Sequence, residues 1–106
     1  MVAAIFIQTN TPIHTQFSRD LLTITVPDEV TELGGRGGTY DRLKVRSAFT
    51  KDTLVLIPNR DEVVEKIFDR IATRIGNGLE PFQPISSDIF IPRSAIALMW
   101  VGSADS

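Results

Sequence analysis

The sequence predicts an α+β domain, a five-stranded, mainly antiparallel sheet or partly open small barrel with one amphipathic helix at about residues 60–75. Three observations predict it. Leu22, Ile24 and Val26 alternate with Thr23 and Thr25, the pattern of a strand covered on one face only. Two strand-like runs, 42–49 and 53–57, are joined by Thr50-Lys51-Asp52, which suits a short-looped hairpin. Val64, Ile67, Phe68, Ile71 and Ile75 then recur at three- and four-residue spacing, which places them on one stripe of a helix.

In chain order, residues 2–8 read as a first strand, closed by the turn chemistry of Thr9-Asn10-Thr11-Pro12. The threonine-alternating strand follows and stops at Pro27. An acidic run, Asp28, Glu29 and Glu32, leads into the loop Gly34-Gly35-Arg36-Gly37-Gly38, whose glycines give up backbone entropy and imply a sharply turned or mobile segment. The hairpin strand Leu54-Val55-Leu56-Ile57 shows no alternation, so both of its faces are expected to be covered. Asn59 and Glu62 form a capping-box-like start to the helix, and Glu62, Glu65, Lys66, Asp69, Arg70 and Arg74 are expected on its remaining surface. Gly76-Asn77-Gly78 supplies the left-handed stop. Residues 88–91 and 95–101 read as one long strand, or as two strands bent at Pro92.

Length and composition favour one domain over residues 1–102, with 103–106 as a polar C-terminal tail. The chain has no cysteine, which rules out disulfides, thiolate chemistry and cysteine zinc sites. The apolar residues 1–7 lack a basic start and are too short for a signal sequence. No segment approaches the roughly 20 apolar residues that span a bilayer. A cytoplasmic protein with no membrane partner is therefore the expectation.

Charge is distributed unevenly. The chain carries a net charge of −2, yet Arg36, Arg42, Lys44, Arg46 and Lys51 face a single acid, Asp41, within 36–51. Alternate strand residues share a face, so Arg42, Lys44 and Arg46 would form a basic stripe with Leu43 and Val45 behind it. Their repeat of about 6.5 to 7 Å resembles the spacing of phosphates in an extended single strand. Tyr40 lies nearby as a base-stacking platform. Arg36, Tyr40, Arg42, Lys44 and Arg46 thus form a candidate surface for an anionic partner, either nucleic acid or an acidic protein. The alternative is a solvated face, or one paired with Asp28, Glu29 or Glu32.

Other chemistry is poorly supported. His14 is the only histidine and no nucleophile motif surrounds it. The acidic run lacks the spacing of a calcium loop. The glycine loop ends in neither Gly-Lys-Ser/Thr nor a dinucleotide fingerprint, because Tyr40 stands where the last glycine would be needed. No catalytic residue, metal ligand or cofactor is assigned. In the last apolar run, Met99 and Trp100 are adjacent and must face opposite sides of a strand. They mark either an oligomer interface or a strand covered on both faces.

One local resemblance extends this reading. Ile89-Phe90-Ile91-Pro92-Arg93-Ser94-Ala95-Ile96-Ala97-Leu98 resembles the closing strands of Sm-like small β-barrels, where a short polar turn separates two apolar strands that meet a neighbouring subunit. The resemblance covers about a tenth of the chain. It implies a compact barrel that forms rings, and it carries over no RNA-contact residue. In that family the helix precedes the strands, whereas here it follows four of them.

The expected function is a small non-enzymatic binding or assembly module that is homo-oligomeric. The alternatives are a nucleic-acid-binding regulator using the basic strand face, and a small enzyme with a phosphate ligand held by Arg36 and the glycine loop.

Overall fold

A computed structural model describes residues 2–10, 21–27, 40–47, 52–58, 60–82 and 89–104, with the side chains of residues 21, 22, 40–42 and 47 excepted. Its strands are β1 (Ala3–Thr9), β2 (Leu21–Pro27), β3 (Tyr40–Ser47), β4 (Thr53–Ile57) and β5 (Ile96–Ser103). They form one sheet in the order β2-β3-β4-β1-β5. Each neighbouring pair is antiparallel. The sheet does not close into a barrel, because β2 and β5 are its two edges.

One helix, α1 (Val64–Gly76), follows a single 3-10 turn at Asp61–Val63. It connects β4 to β5. Both of those strands run antiparallel to β1 and hence parallel to each other, so the helix makes the long crossover that such a connection needs. It packs on β1 and β5.

Strand periodicity divides the core in two. Ile5, Ile7, Leu54, Leu56, Leu43, Val45, Ile24 and Val26 share the face that meets Val64, Ile67 and Ile71 of α1, and Phe82 and Ile91 complete this main core. The opposite face carries Ala4, Phe6 and Val55, which cluster with Ala104. β1 and β4 are buried on both faces, which accounts for the missing alternation in Leu54-Val55-Leu56. Each fully buried isoleucine or leucine contributes about 1.5–3 kcal/mol, so the central strands dominate the stability of the sheet.

The helical stripe forms as its spacing predicts, with Phe68 and Ile75 half-buried at its margins. The start differs in detail. Asn59 lies outside the described residues, Arg60 precedes the 3-10 turn without a side-chain cap, and its guanidinium pairs with Glu62 at 3.4 Å. Asp61 instead accepts a 3.3 Å hydrogen bond from the Ala3 N–H, tying the start of the helix to β1.

The C-terminal stop does use the left-handed glycine. Gly78 has φ +78°, its N–H donates to the Ile75 carbonyl, and the Leu79 N–H reaches back to the Arg74 carbonyl. These two bonds are those of a Schellman motif.

Two elements depart from the sequence reading. Arg74 is buried, not on the solvent side of the helix. Its Nε and Nη2 donate to the Glu80 carbonyl at 2.9 and 2.6 Å, so the chain leaving the helix folds over the guanidinium. Helical spacing does place Arg74 beside the stripe, three residues after Ile71 and seven after Ile67; its charge argued for solvent, and the covering segment satisfies that charge within the fold. Residues 89–92 form no strand; Arg93–Ala95 make a 3-10 turn and only Ile96–Ser103 pair. Pro92 lacks a ladder donor, and the Ala95 N–H closes the turn by bonding its carbonyl.

Pairing also runs to the end of the described chain. Ser103 lies opposite Ala3, and the Ala104 N–H donates to the Val2 carbonyl at 2.7 Å. Residue 103 of the segment read as a polar tail thus belongs to β5.

Candidate interaction surfaces

Two surfaces emerge from the sheet: the free edge of β5 and the basic portion of the face opposite the helix. β5 is the more unusual. Its eight residues, Ile-Ala-Leu-Met-Trp-Val-Gly-Ser, include no charge and no proline. Leu98 is 55% exposed, Val101 41% and Trp100 39%. An apolar edge of this length lacks the charged residues and prolines that usually blunt such strands.

Hydrogen-bond phase fixes which backbone groups of β5 face outward. The bond from Ala104 N–H to Val2 joins residues directly opposite each other, and bonded pairs alternate along an antiparallel ladder. Gly102, Trp100 and Leu98 therefore turn their backbone groups toward Ala4, Phe6 and Gln8 of β1. Met99 and Val101 turn theirs away from the sheet, where no strand pairs with them among the described residues. The same alternation is consistent across β1, because the Thr9 N–H bonds Asp52 on the β4 side.

Upstream the edge is interrupted. Gln8 pairs with Leu98 but Thr9 pairs with Ile96, so Ala97 is the extra residue of a β-bulge. The regular outward ladder is thereby confined to residues 98–103. Beyond the bulge, Asn10 secures the chain through its N–H to Ala95 and its amide Nδ2 to Ser94, both at 2.8 Å. Arg93 is held similarly, its N–H bonding Glu80 Oε2 at 2.6 Å. The edge is presented by a well-anchored strand.

Met99 and Trp100 point to opposite sides. Met99 is half-buried against the main core, while Trp100 stacks on Phe6 with ring centroids 5.4 Å apart and planes 5° from parallel. Such a stack contributes about 0.5–1.5 kcal/mol beyond area burial. It is accommodated by Gly102, where a Cβ would come within 3.0 Å of Phe6 Cε2. The Phe6 ring thus covers the glycine and supports an indole that is still partly in solvent.

On the same face, Lys44 and Arg46 of β3 are exposed, with Leu43 and Val45 buried behind them. Arg42 is in register to continue the stripe, opposite Thr25, and Tyr40 opens the strand; their side chains lie outside the described part, as does Arg36 altogether. His14, Asp28, Glu29, Glu32 and Lys51 are also outside the described residues. Arg46, Val55, Phe6 and Trp100 form one cross-strand row. Arg46 and Trp100 thus stand about 14 Å apart on one face, three strand spacings of 4.7–4.9 Å, with Phe6 between them.

The sequence singles out Met99, Trp100, Lys44 and Arg46 but not Leu98, Val101, Phe6 or Gly102. Whether Val101 is uncovered depends on where α1 crosses the sheet, because it shares the helix-side face with Met99, whereas Leu98 and Trp100 lie on the opposite face. The detectable signal was the pattern of size, with large residues followed by small ones over 98–104.

No helix among the described residues is long and apolar enough to cross a membrane. Compared with known proteins, the chain matches no family model, no curated protein and no solved structure.

Proposed function

We propose that this chain is a small non-enzymatic assembly module that works as a homo-oligomer through the free edge of β5. The observation that carries the reading is the exposure of Leu98, Trp100 and Val101 on an uncharged edge strand. Folding of the single chain leaves these residues in water, whereas pairing with another strand would cover them and satisfy the outward groups of Met99 and Val101.

The second reading, a nucleic-acid-binding regulator, rests on Lys44 and Arg46 sharing a face with the Phe6–Trp100 stack. Positive charge beside an aromatic surface is the combination that binds single strands. The negative net charge of the chain weighs against it.

Solution mass by sedimentation, with and without single-stranded DNA or RNA at low salt, tests both readings. Assembly predicts a mass above that of the single chain without nucleic acid and no change when it is added. A single-chain mass at tens of micromolar would refute assembly. Salt-sensitive binding of the oligonucleotide would favour the regulator, since phosphate neutralisation releases counterions.

A further inference from the structure

We infer that the occupant of the β5 edge is the β5 edge of a second copy, paired antiparallel about a two-fold axis at Val101. This inference rests on the assembly reading and adds to it a partner, an orientation and a register.

The first constraint is symmetry. A two-fold axis perpendicular to the sheet keeps each face on its own side, so a residue can pair only with one of the same face in the second copy. The odd-numbered residues Met99, Val101 and Ser103 then oppose one another, as do Leu98, Trp100, Gly102 and Ala104. Hydrogen-bond phase agrees, because Met99 and Val101 are the residues that direct their backbone groups outward.

The second constraint is size, and it selects among the registers that symmetry allows. Residues 98–104 read Leu-Met-Trp-Val-Gly-Ser-Ala, three large side chains, a central valine and three small ones. Folded about Val101, the segment places Trp100 opposite Gly102, Met99 opposite Ser103 and Leu98 opposite Ala104 of the second copy. Every large residue meets a small one, and at Gly102 the incoming indole would abut the Phe6 ring that covers the glycine. An axis at Trp100 would set the two indoles directly against each other, and an axis at Met99 would oppose Leu98 to Trp100. The Val101 register thus fills the seam most evenly.

The resulting sheet has ten strands, with both α1 helices on one side. On the opposite side the two indoles become diagonal neighbours, about 7–8 Å apart by strand geometry. The Phe6–Trp100 stack of one copy would then continue into that of the other across the glycines. Exposed aromatic area on the single chain becomes the centre of the interface.

The absence of cysteine makes the register directly readable. Single-cysteine variants Met99→Cys, Val101→Cys and Ser103→Cys would be oxidised at tens of micromolar and scored for intermolecular disulfide, beside the solution mass of the unmodified protein. In a hydrogen-bonded antiparallel pair the two Cα atoms are about 5.5 Å apart, within disulfide reach. Met99 of the two copies would be about 13 Å apart along the strands, beyond it.

The expected result is a dimer mass, with Val101→Cys cross-linking at least ten-fold more than either other variant alone. An equimolar mixture of Met99→Cys and Ser103→Cys should also give the mixed disulfide, which tests the same register with Val101 intact. A dimer mass with self-linking of Met99→Cys, or with no link at any position and no mixed disulfide, would overturn the register and leave assembly standing. A single-chain mass for the unmodified protein would overturn both.

Discussion

The two edges of the sheet solve the problem of exposure differently. β2 alternates Ile24 and Val26, fully buried against the main core, with Thr23 and Thr25 on the other face, and it ends in Pro27, which cannot donate to another strand. Its composition is explained by folding of the single chain. β5 has an uncharged, proline-free ladder edge with three large apolar side chains substantially exposed. Among the described residues, only the bulge at Ala97 limits further pairing there. Residues that folding alone leaves unexplained point to an interaction, and in this sheet they gather on one edge.

The largest effect is expected from breaking the main core, away from the outer edge of β5. Ile71 is wholly buried between α1 and the sheet. Ile71→Ala should cost about 2–5 kcal/mol, through lost burial and the cavity left behind. Urea denaturation measures this, and an unchanged midpoint would mean that the helix does not cover the sheet as described.

A smaller effect is expected where the edge meets the second core. Gly102→Ala places a Cβ 3.0 Å from Phe6 Cε2 and 3.8 Å from Trp100 Cδ1. The Phe6 ring must shift, at a cost of about 1–3 kcal/mol for overpacking. Trp100 emission, read at a concentration where the protein is single chains, should change with it. Loss of stability without any change in emission would place the strain away from the stack.

The smallest effect belongs to the basic face. Replacing Lys44 and Arg46 together by glutamine should leave the denaturation midpoint within about 0.5 kcal/mol of the parent, because exposed charges contribute little to folding. The oligomeric mass should also be unchanged. A clear loss of stability that disappears at high salt would instead show that the stripe is paired within the chain.

The sequence made the sheet, its helix and the hairpin legible because each repeats a pattern longer than a turn. Three- and four-residue spacing gave the buried Val64, Ile67 and Ile71, and two-residue spacing gave the exposed Lys44 and Arg46 in front of Leu43 and Val45. What escaped depends on contacts that lie outside the repeating pattern of any one element. Arg74 looks like a solvent-facing cation until Glu80 folds back onto it, and Phe6 becomes the support of Trp100 only when the first and last strands pair. The break at Pro92 was legible, but the lack of a strand over residues 89–91 and the 3-10 turn at Arg93–Ala95 before β5 were not. That choice is made by the anchoring of Asn10 and Glu80 on residues 93–95.

The most direct measurement is the solution mass of the unmodified protein beside that of Val101→Lys, both taken across a dilution series. A charge at this half-exposed edge position leaves the monomer's core untouched and opposes strand pairing. The unmodified chain should approach twice its single-chain mass of 11.7 kDa at tens of micromolar, while Val101→Lys remains at 11.7 kDa with an unchanged far-ultraviolet dichroism spectrum. Equal masses for the two proteins, whether single or double, would show that the β5 edge does not drive assembly.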